Sequence, residues 1–257
     1  MANAKGVTMT TRFQIAAMVT FALALTACGD KTTKSTDGAT TSTASTATAT
    51  SAGTDWTRVT AATPEGGFRI GNPEAKVKLL EFASLTCPHC AEFHEAAMPT
   101  LREKYIASGN VSYEFRNFVL NGPDYAASML ARCQGAEPFF GLLAAFFEDQ
   151  VKWTEPFTKL SPADSARLSG LPEDKAIAAL AEVGKLDEYV RARGIPRAKF
   201  DACLADKAAI AKLAELRTQA TDTYKLTGTP GFVINGTTQE GVFTWEGLEP
   251  KLKAALS

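Results

Sequence analysis

Residues 75–85 read AKVKLLEFASL, apolar over most of their length, which predicts a buried strand. The run leads directly into Cys87. Pro88 suits a first helical turn, and Phe93, Ala97, Met98, Leu101 and Tyr105 then recur at helical spacing. Pro99 falls inside that pattern and predicts a kink; Gly109-Asn110 predicts a stop. Residues 111–119, VSYEFRNFV, predict a second strand. The crossover between the two strands is long enough for parallel pairing.

Beyond Asn121-Gly122-Pro123 the pattern changes. Residues 125–225 are rich in Ala, Leu, Glu and Lys at helical spacing and nearly free of strand signals. Ser161-Pro162-Ala163-Asp164 predicts a helix start, and Gly170-Leu171-Pro172 a break between two helices. Phe200, Leu204, Ile210, Leu213 and Leu216 form a further helical stripe. Strands then return: GFVIN (231–235) and QEGVFT (239–244) flank Asn235-Gly236, a strong hairpin signal. Asn235-Gly236-Thr237 also fits a glycosylation sequon, but the turn is the better reading. Residues 245–256, WEGLEPKLKAAL, predict a closing amphipathic helix despite Pro250. The order strand, helix, strand, helical block, hairpin, helix describes an α/β unit interrupted by an all-helical insertion.

The N-terminus has a different character. Lys5 and Arg12 precede a short apolar core, FQIAAMVTFALAL (13–25), followed by Leu25-Thr26-Ala27-Cys28. This pattern predicts an export signal. The LTAC tetrapeptide resembles a bacterial lipobox, in which Cys28 is acylated and becomes the mature N-terminus. Cleavage after Ala24 in a secreted form is the alternative. The Thr/Ser/Ala-rich stretch 29–55 has no apolar face to bury and predicts a flexible tether. The expected organisation is signal 1–27, tether 28–55, α/β domain 56–123 and 223–257, and helical insertion 124–222. A formal net charge of -1 gives no sign of a nucleic-acid partner. With a tether and no dimerisation module ahead of the domain, a monomer is expected.

The chemistry concentrates in residues 84–95, SLTCPHCAEFHE, which hold a Cys-x-x-Cys pair and both histidines of the chain. Cysteines at a helix start feel unpaired N–H groups and partial positive charge, and both favour a thiolate on Cys87. His89, between the cysteines, can add charge or a hydrogen bond. A stabilised thiolate stabilises the dithiol and makes the disulfide more oxidising. Glu81 lies in the strand before the pair, between apolar neighbours. Alternation could turn it inward beneath the cysteines, where burial would favour its protonated form and let it exchange a proton with Cys90. His94, two turns after Cys87 along the same face, could tune the site; a helix-surface histidine is the preferred reading. Gly228-Thr229-Pro230-Gly231 precedes the hairpin and, beside a redox pair, becomes informative.

Strand, CPHC, helix, helical insertion and Thr229-Pro230 before the final hairpin together resemble the DsbA-type thiol:disulfide oxidoreductases of the thioredoxin fold. The resemblance covers roughly residues 57–256. It implies a dithiol oxidase in which Cys87 forms the mixed disulfide and Cys90 resolves it. It also implies a cis Thr229-Pro230 peptide packed against the pair, blocking metals and receiving extended substrate. No cofactor and no metal are implied. The expected partners are reduced or unfolded exported polypeptides and an unidentified membrane redox protein that reoxidises the pair. The expected location is the periplasm or cell envelope, through a lipid on Cys28. Many DsbA-type proteins carry valine where this chain has Thr229, as the isomerase and reductase branches do, so those polarities stay open. A thiolate metal-binding protein using Cys87, Cys90 and His94 is a further alternative. Cys133 and Cys203 could be buried free thiols. Some relatives carry a second, structural disulfide here, so a Cys133–Cys203 bridge is expected.

Overall fold

The computed structural model describes residues 53–257. The signal segment, Cys28 and all but the end of the tether lie outside the described residues. Among those described, no helix is long and apolar enough to cross a membrane.

Strands β1 (Thr60–Ala62), β2 (Phe68–Ile70), β3 (Val77–Ala83), β4 (Val111–Asn117), β5 (Gly231–Ile234) and β6 (Thr237–Thr238) form one sheet in the order β1-β2-β4-β3-β5-β6. β3 and β4 run parallel, with Leu79 opposite Tyr113 and Glu81 opposite Phe115; every other pair is antiparallel. The parallel pair is joined by helix α1 (Pro88–Thr100). β3 is the central strand, and its alternation builds two cores. Val77, Leu79 and Ala83 join the large core with Phe93, Ala97 and Leu101. Leu80 and Phe82 join a smaller one with Phe118, Leu226 and Val233. Each fully buried Leu or Phe contributes about 1.5–3 kcal/mol of transfer free energy. Glu81 is odd-numbered like Val77 and Leu79, so the strand's period places it on the large-core face.

Helices α2 (Gly122–Arg132), α3 (Ala136–Glu148), α4 (Gln150–Thr158), α5 (Pro162–Ser169), α6 (Glu173–Val183), α7 (Leu186–Arg191), α8 (Arg197–Leu204) and α9 (Lys207–Thr218) form the insertion between β4 and β5. Helix α10 (Trp245–Leu256) closes the chain. This is the thioredoxin fold with a helical insertion. Ser161 caps α5 by accepting from the Asp164 N–H, as the Ser-Pro-Ala-Asp signal predicts. The chain does not break at Pro99. The turn after α1, Leu101–Ile106, instead takes the wider π form, with the Ala107 N–H bonded back to Arg102.

Three expectations need correction. The hairpin β1–β2 has no counterpart in the sequence reading, because three-residue strands carry too little periodicity. Its Phe68 and Ile70 face the core against β4. The second hairpin strand is not residues 239–244 but Thr237–Thr238. Asn235 (φ 48°) and Gly236 (φ 84°) make a two-residue turn that pairs Ile234 directly with Thr237. Gly241 (φ 69°) then turns the chain away, and Val242 is buried in the core. The strand 111–119 ends at Asn117.

Candidate active site

β3 delivers the chain to Ser84-Leu85-Thr86, and Cys87 becomes the N-cap of α1, with Pro88 in its first turn. The Cys87 carbonyl accepts from the Cys90 and Ala91 N–H groups, so the helix begins at the Cys-x-x-Cys pair. Both thiols are free in this structure. Their surroundings differ sharply. Cys87 is 7% exposed and Cys90 is 0% exposed. The Cys87 pKa is lowered to about 5. Its largest stabiliser is a hydrogen bond from the Cys90 thiol, with the Thr229 side chain and the Cys90 and His89 N–H groups adding to it against burial. Burial pushes the Cys90 thiol far up, and the Cys87 sulfur and the Glu81 charge push the same way. It is the His89 N–H, rather than its ring, that figures among the main stabilisers of Cys87. The His89 ring is exposed and paired with Glu92 at 2.9 Å, and that partner, then the Cys87 thiolate, raises its pKa.

Thr229-Pro230 is a cis peptide, and the Thr229 carbonyl lies 3.4 Å from Cys87 Sγ, which donates to it as a thiol. On the inner side lies Glu81, fully buried. Its Oε2 accepts from the Tyr113 hydroxyl at 2.6 Å and lies 3.2 Å from His94 Nε2. Its Oε1 is buried and has no hydrogen-bond partner among the described residues. The expected surface position of His94 is therefore wrong. The buried face of α1 is Cys90, Phe93, His94 and Ala97, a spacing of i, i+3, i+4 and i+7. Counting from Cys90 rather than Cys87 exposes that signal. The ring packs on Phe147, with centroids 4.1 Å apart.

The loop before Cys87 is held by two side chains of the insertion that the sequence reading did not single out. Asp124, fully buried on α2, accepts from the Ser84 hydroxyl (2.5 Å), the Ser128 hydroxyl (3.2 Å) and the N–H groups of Leu85 (3.0 Å) and Leu120 (2.9 Å). Burial raises its pKa to about 6 against those hydrogen bonds. Gln150 of α4 donates to the carbonyls of Leu85 (2.8 Å) and Cys87 (3.0 Å). Cys133, at the C-cap of α2, is joined to Cys203 of α8 in a disulfide, Cα–Cα 5.7 Å. Among the described residues, no group of three or more His, Cys, Asp and Glu side chains could hold a metal ion.

A family model described as thioredoxin matches residues 63–254. The chain belongs to the thioredoxin family. A Rickettsia bellii member named "Putative protein-disulfide oxidoreductase" is 29% identical over 184 residues, 71% of this chain and 62% of its own length. The Rickettsia prowazekii counterpart is 29% identical over 185 residues, 72% of this chain and 60% of its own. The chain thus spans about three fifths of the length of these curated relatives. Among solved structures, a protein-disulfide isomerase from Novosphingobium aromaticivorans is 32% identical with a TM-score of 0.70, covering 74% of this chain and 96% of its own. Wolbachia pipientis alpha-DsbA1 shares the fold: TM-score 0.59, 24% identity, 73% of this chain and 89% of its own.

Proposed function

We propose that this chain is a thiol:disulfide oxidoreductase that acts as a dithiol oxidase on exported polypeptides through Cys87 and Cys90. The observation that carries the reading is the opposed setting of the two sulfurs: a stabilised thiolate at Cys87 beside a buried Cys90 held as the thiol. Starting from the disulfide, a substrate thiolate attacks Cys87 Sγ, the sulfur with solvent access. A substrate–Cys87 disulfide forms, the Cys87–Cys90 bond breaks, and Cys90 leaves as a thiolate that takes up one proton. The second substrate thiol loses its proton and attacks the first substrate sulfur. Cys87 then departs as the thiolate that its surroundings favour. Two electrons pass from the substrate dithiol to the enzyme. A membrane redox protein that accepts them would close the cycle.

The surface supports a polypeptide substrate. Leu120, Val151 and Phe243 are the large apolar side chains left exposed among the described residues. The sequence neighbours of two of them, and the cavity lined by the third, reach the segment that carries the cysteines. Leu120 adjoins Asn121, which bonds Thr86, and Val151 adjoins Gln150, which bonds Cys87. Phe243 lines a cavity of about 400 Å³ with His89, Phe93 and Trp245. Apolar surface of this kind suits an unfolded chain. The export signal and Cys28 add a lipid-tethered location in the cell envelope. The deciding experiment mixes the oxidised protein with a reduced, unfolded substrate and measures the Cys87–Cys90 potential. Disulfide transfer with a potential well above that of reducing thioredoxins is expected; a strongly reducing potential would sink the oxidase assignment. The Novosphingobium relative's name and Thr229 favour a second reading, disulfide isomerisation. Refolding of a scrambled substrate at a rate above that of disulfide donation would establish it.

A further inference from the structure

Departure of Cys90 as a thiolate creates a specific problem. Cys90, Glu81 and Tyr113 are all 0% exposed, so the proton that Cys90 needs must cross the core. Of the polar groups in the cluster, His94 is the one with an edge to solvent, at 6% exposure. Its Nε2 lies 3.2 Å from Glu81 Oε2 and 3.3 Å from the Tyr113 hydroxyl, which itself holds Oε2 at 2.6 Å. Among the described residues Glu81 Oε1 has no hydrogen-bond partner, and the Glu81 charge is felt at Cys90. The carboxyl group therefore has one oxygen committed to His94 and Tyr113 and one unpaired; that oxygen makes no direct hydrogen bond to Cys90, so transfer between them passes through one bridging water. We propose that His94 is the proton outlet of the redox centre, passing protons between solvent and Cys90 through the Glu81 carboxyl group. The proposal rests on the oxidoreductase reading above.

The step balances as follows. It begins with one proton on Glu81 Oε1 and one on His94 Nε2. As Cys90 leaves the disulfide, Oε1 gives its proton to the bridging water, which passes one on to Cys90 Sγ, and Nε2 gives its proton to Oε2. The ring regains a proton at Nδ1 from solvent. One proton has entered, and Cys90 is a neutral thiol. Reoxidation runs the same transfers backward and restores the starting tautomer, so neither group must rotate. His94 acts through Glu81 and is a positioning residue rather than one that touches the reacting sulfur.

The groups facing the His94 ring are few. β3 contributes Glu81, and β4 contributes Tyr113 and Phe115, the latter 6.1 Å away between centroids. α3 contributes Phe147 at 4.1 Å, and its own helix contributes Phe93 at 5.9 Å. Among these the ionisable groups are Glu81 and Tyr113. The aromatic packing keeps solvent from short-circuiting the path.

The test is single-turnover reduction of the oxidised protein by a dithiol peptide, followed from pH 5 to 9. His94→Gln keeps a hydrogen bond to Glu81 but cannot relay a proton. It should leave the Cys87 thiolate absorbance titration intact, slow the turnover by about tenfold or more near pH 7, and flatten its pH profile. Glu81→Gln should slow it by at least as much, and the double variant should be no slower than Glu81→Gln alone, since the two share one path. A His94→Gln protein with the wild-type rate and pH profile, or effects that multiply in the double variant, would overturn the relay. The wild-type traces test the parent reading separately: if the wild type transfers no disulfide, the oxidoreductase assignment itself is lost. A second measurement leaves the Glu81, His94 and Tyr113 cluster unaltered. The chain has two histidines, so the His94 ring protons can be assigned by NMR once His89→Ala identifies the other. Their chemical shifts at one fixed pH should differ between the disulfide and dithiol states, because the ring's tautomer differs; identical shifts in both states would count against the proposal.

Discussion

The chain holds two cysteine pairs in opposite settings, one with both thiols free and one joined in a disulfide. Cys87 and Cys90 are three positions apart at the start of one helix. One is lowered to about 5, and the other is buried and pushed far up. Cys133 and Cys203 are 70 positions apart and tie the end of α2 to α8. Neither lies at a helix N-terminus, and both pack with apolar neighbours. The difference teaches that reactivity comes from asymmetry. A pair works as a redox centre when its surroundings stabilise one sulfur as an anion and leave it reachable. A pair without that asymmetry works as a crosslink. The largest effect should follow from removing the asymmetric sulfur. Cys87→Ala should abolish disulfide transfer to a reduced peptide, while the Cys133→Ala/Cys203→Ala double variant should retain the wild-type rate within about twofold, the range of a distant site. A double variant as inactive as Cys87→Ala would erase the comparison.

The asymmetry should also appear in stability. A lowered pKa in the folded dithiol form contributes stability that is present above the unfolded thiol's value and lost as pH falls through the folded one. For Cys87 that window runs from about 9 down to about 5. Cys90 shifts the other way, so its contribution is constant below its ordinary value of 9.0. The dithiol form should therefore gain on the disulfide form as pH rises from 5 to 9. Paired urea denaturations across that range would measure it. A gap that does not vary with pH would mean that Cys87 is no more stabilised as an anion in the folded than in the unfolded chain. The second pair should show none of this. Its removal should cost about 2–4 kcal/mol, chiefly by loosening the unfolded chain, and by the same amount at pH 5 and pH 8.

How far the sequence revealed these two settings differs by residue. Cys87, Cys90 and Thr229-Pro230 were legible because their chemistry lies in side-chain type and short spacing. Glu81 was legible because a strand has period two and its neighbours are apolar. His94 was misread although its helical spacing from Cys90 was available; the ring's polarity outweighed the pattern. Tyr113 faces Glu81 only through the register of β3 against β4, and no single-strand pattern contains a register. Asp124 and Gln150 reach the redox loop from 37 and 63 positions beyond Cys87, a consequence of how the insertion folds back. The short hairpin β1–β2 fell below the length at which alternation can be recognised.

Asp124 connects the two settings, because α2 carries it at one end and the Cys133 crosslink at the other. Its burial raises its pKa to about 6. For a carboxyl group raised in the folded state, stability is complete below the unfolded value near 3.8 and is lost as pH rises through about 6. Asp124→Asn cannot titrate, but it leaves one backbone N–H, that of Leu85 or Leu120, without an acceptor. The cost of that loss is about 1–3 kcal/mol. Below pH 4 the variant should therefore be the less stable protein by that amount. Between pH 4 and 7 the wild type loses its own margin, and the two stability curves should converge. Taking the difference between them cancels every other titrating group. Curves that stay parallel through this window would show that the hydrogen bonds from Ser84, Leu85, Leu120 and Ser128 offset burial fully. The loop before Cys87 would then be held by an ordinary carboxylate. Convergence would instead mark Asp124 as a carboxyl group whose titration is moved up to about 6, bracing the reactive pair from the helix that the other pair anchors.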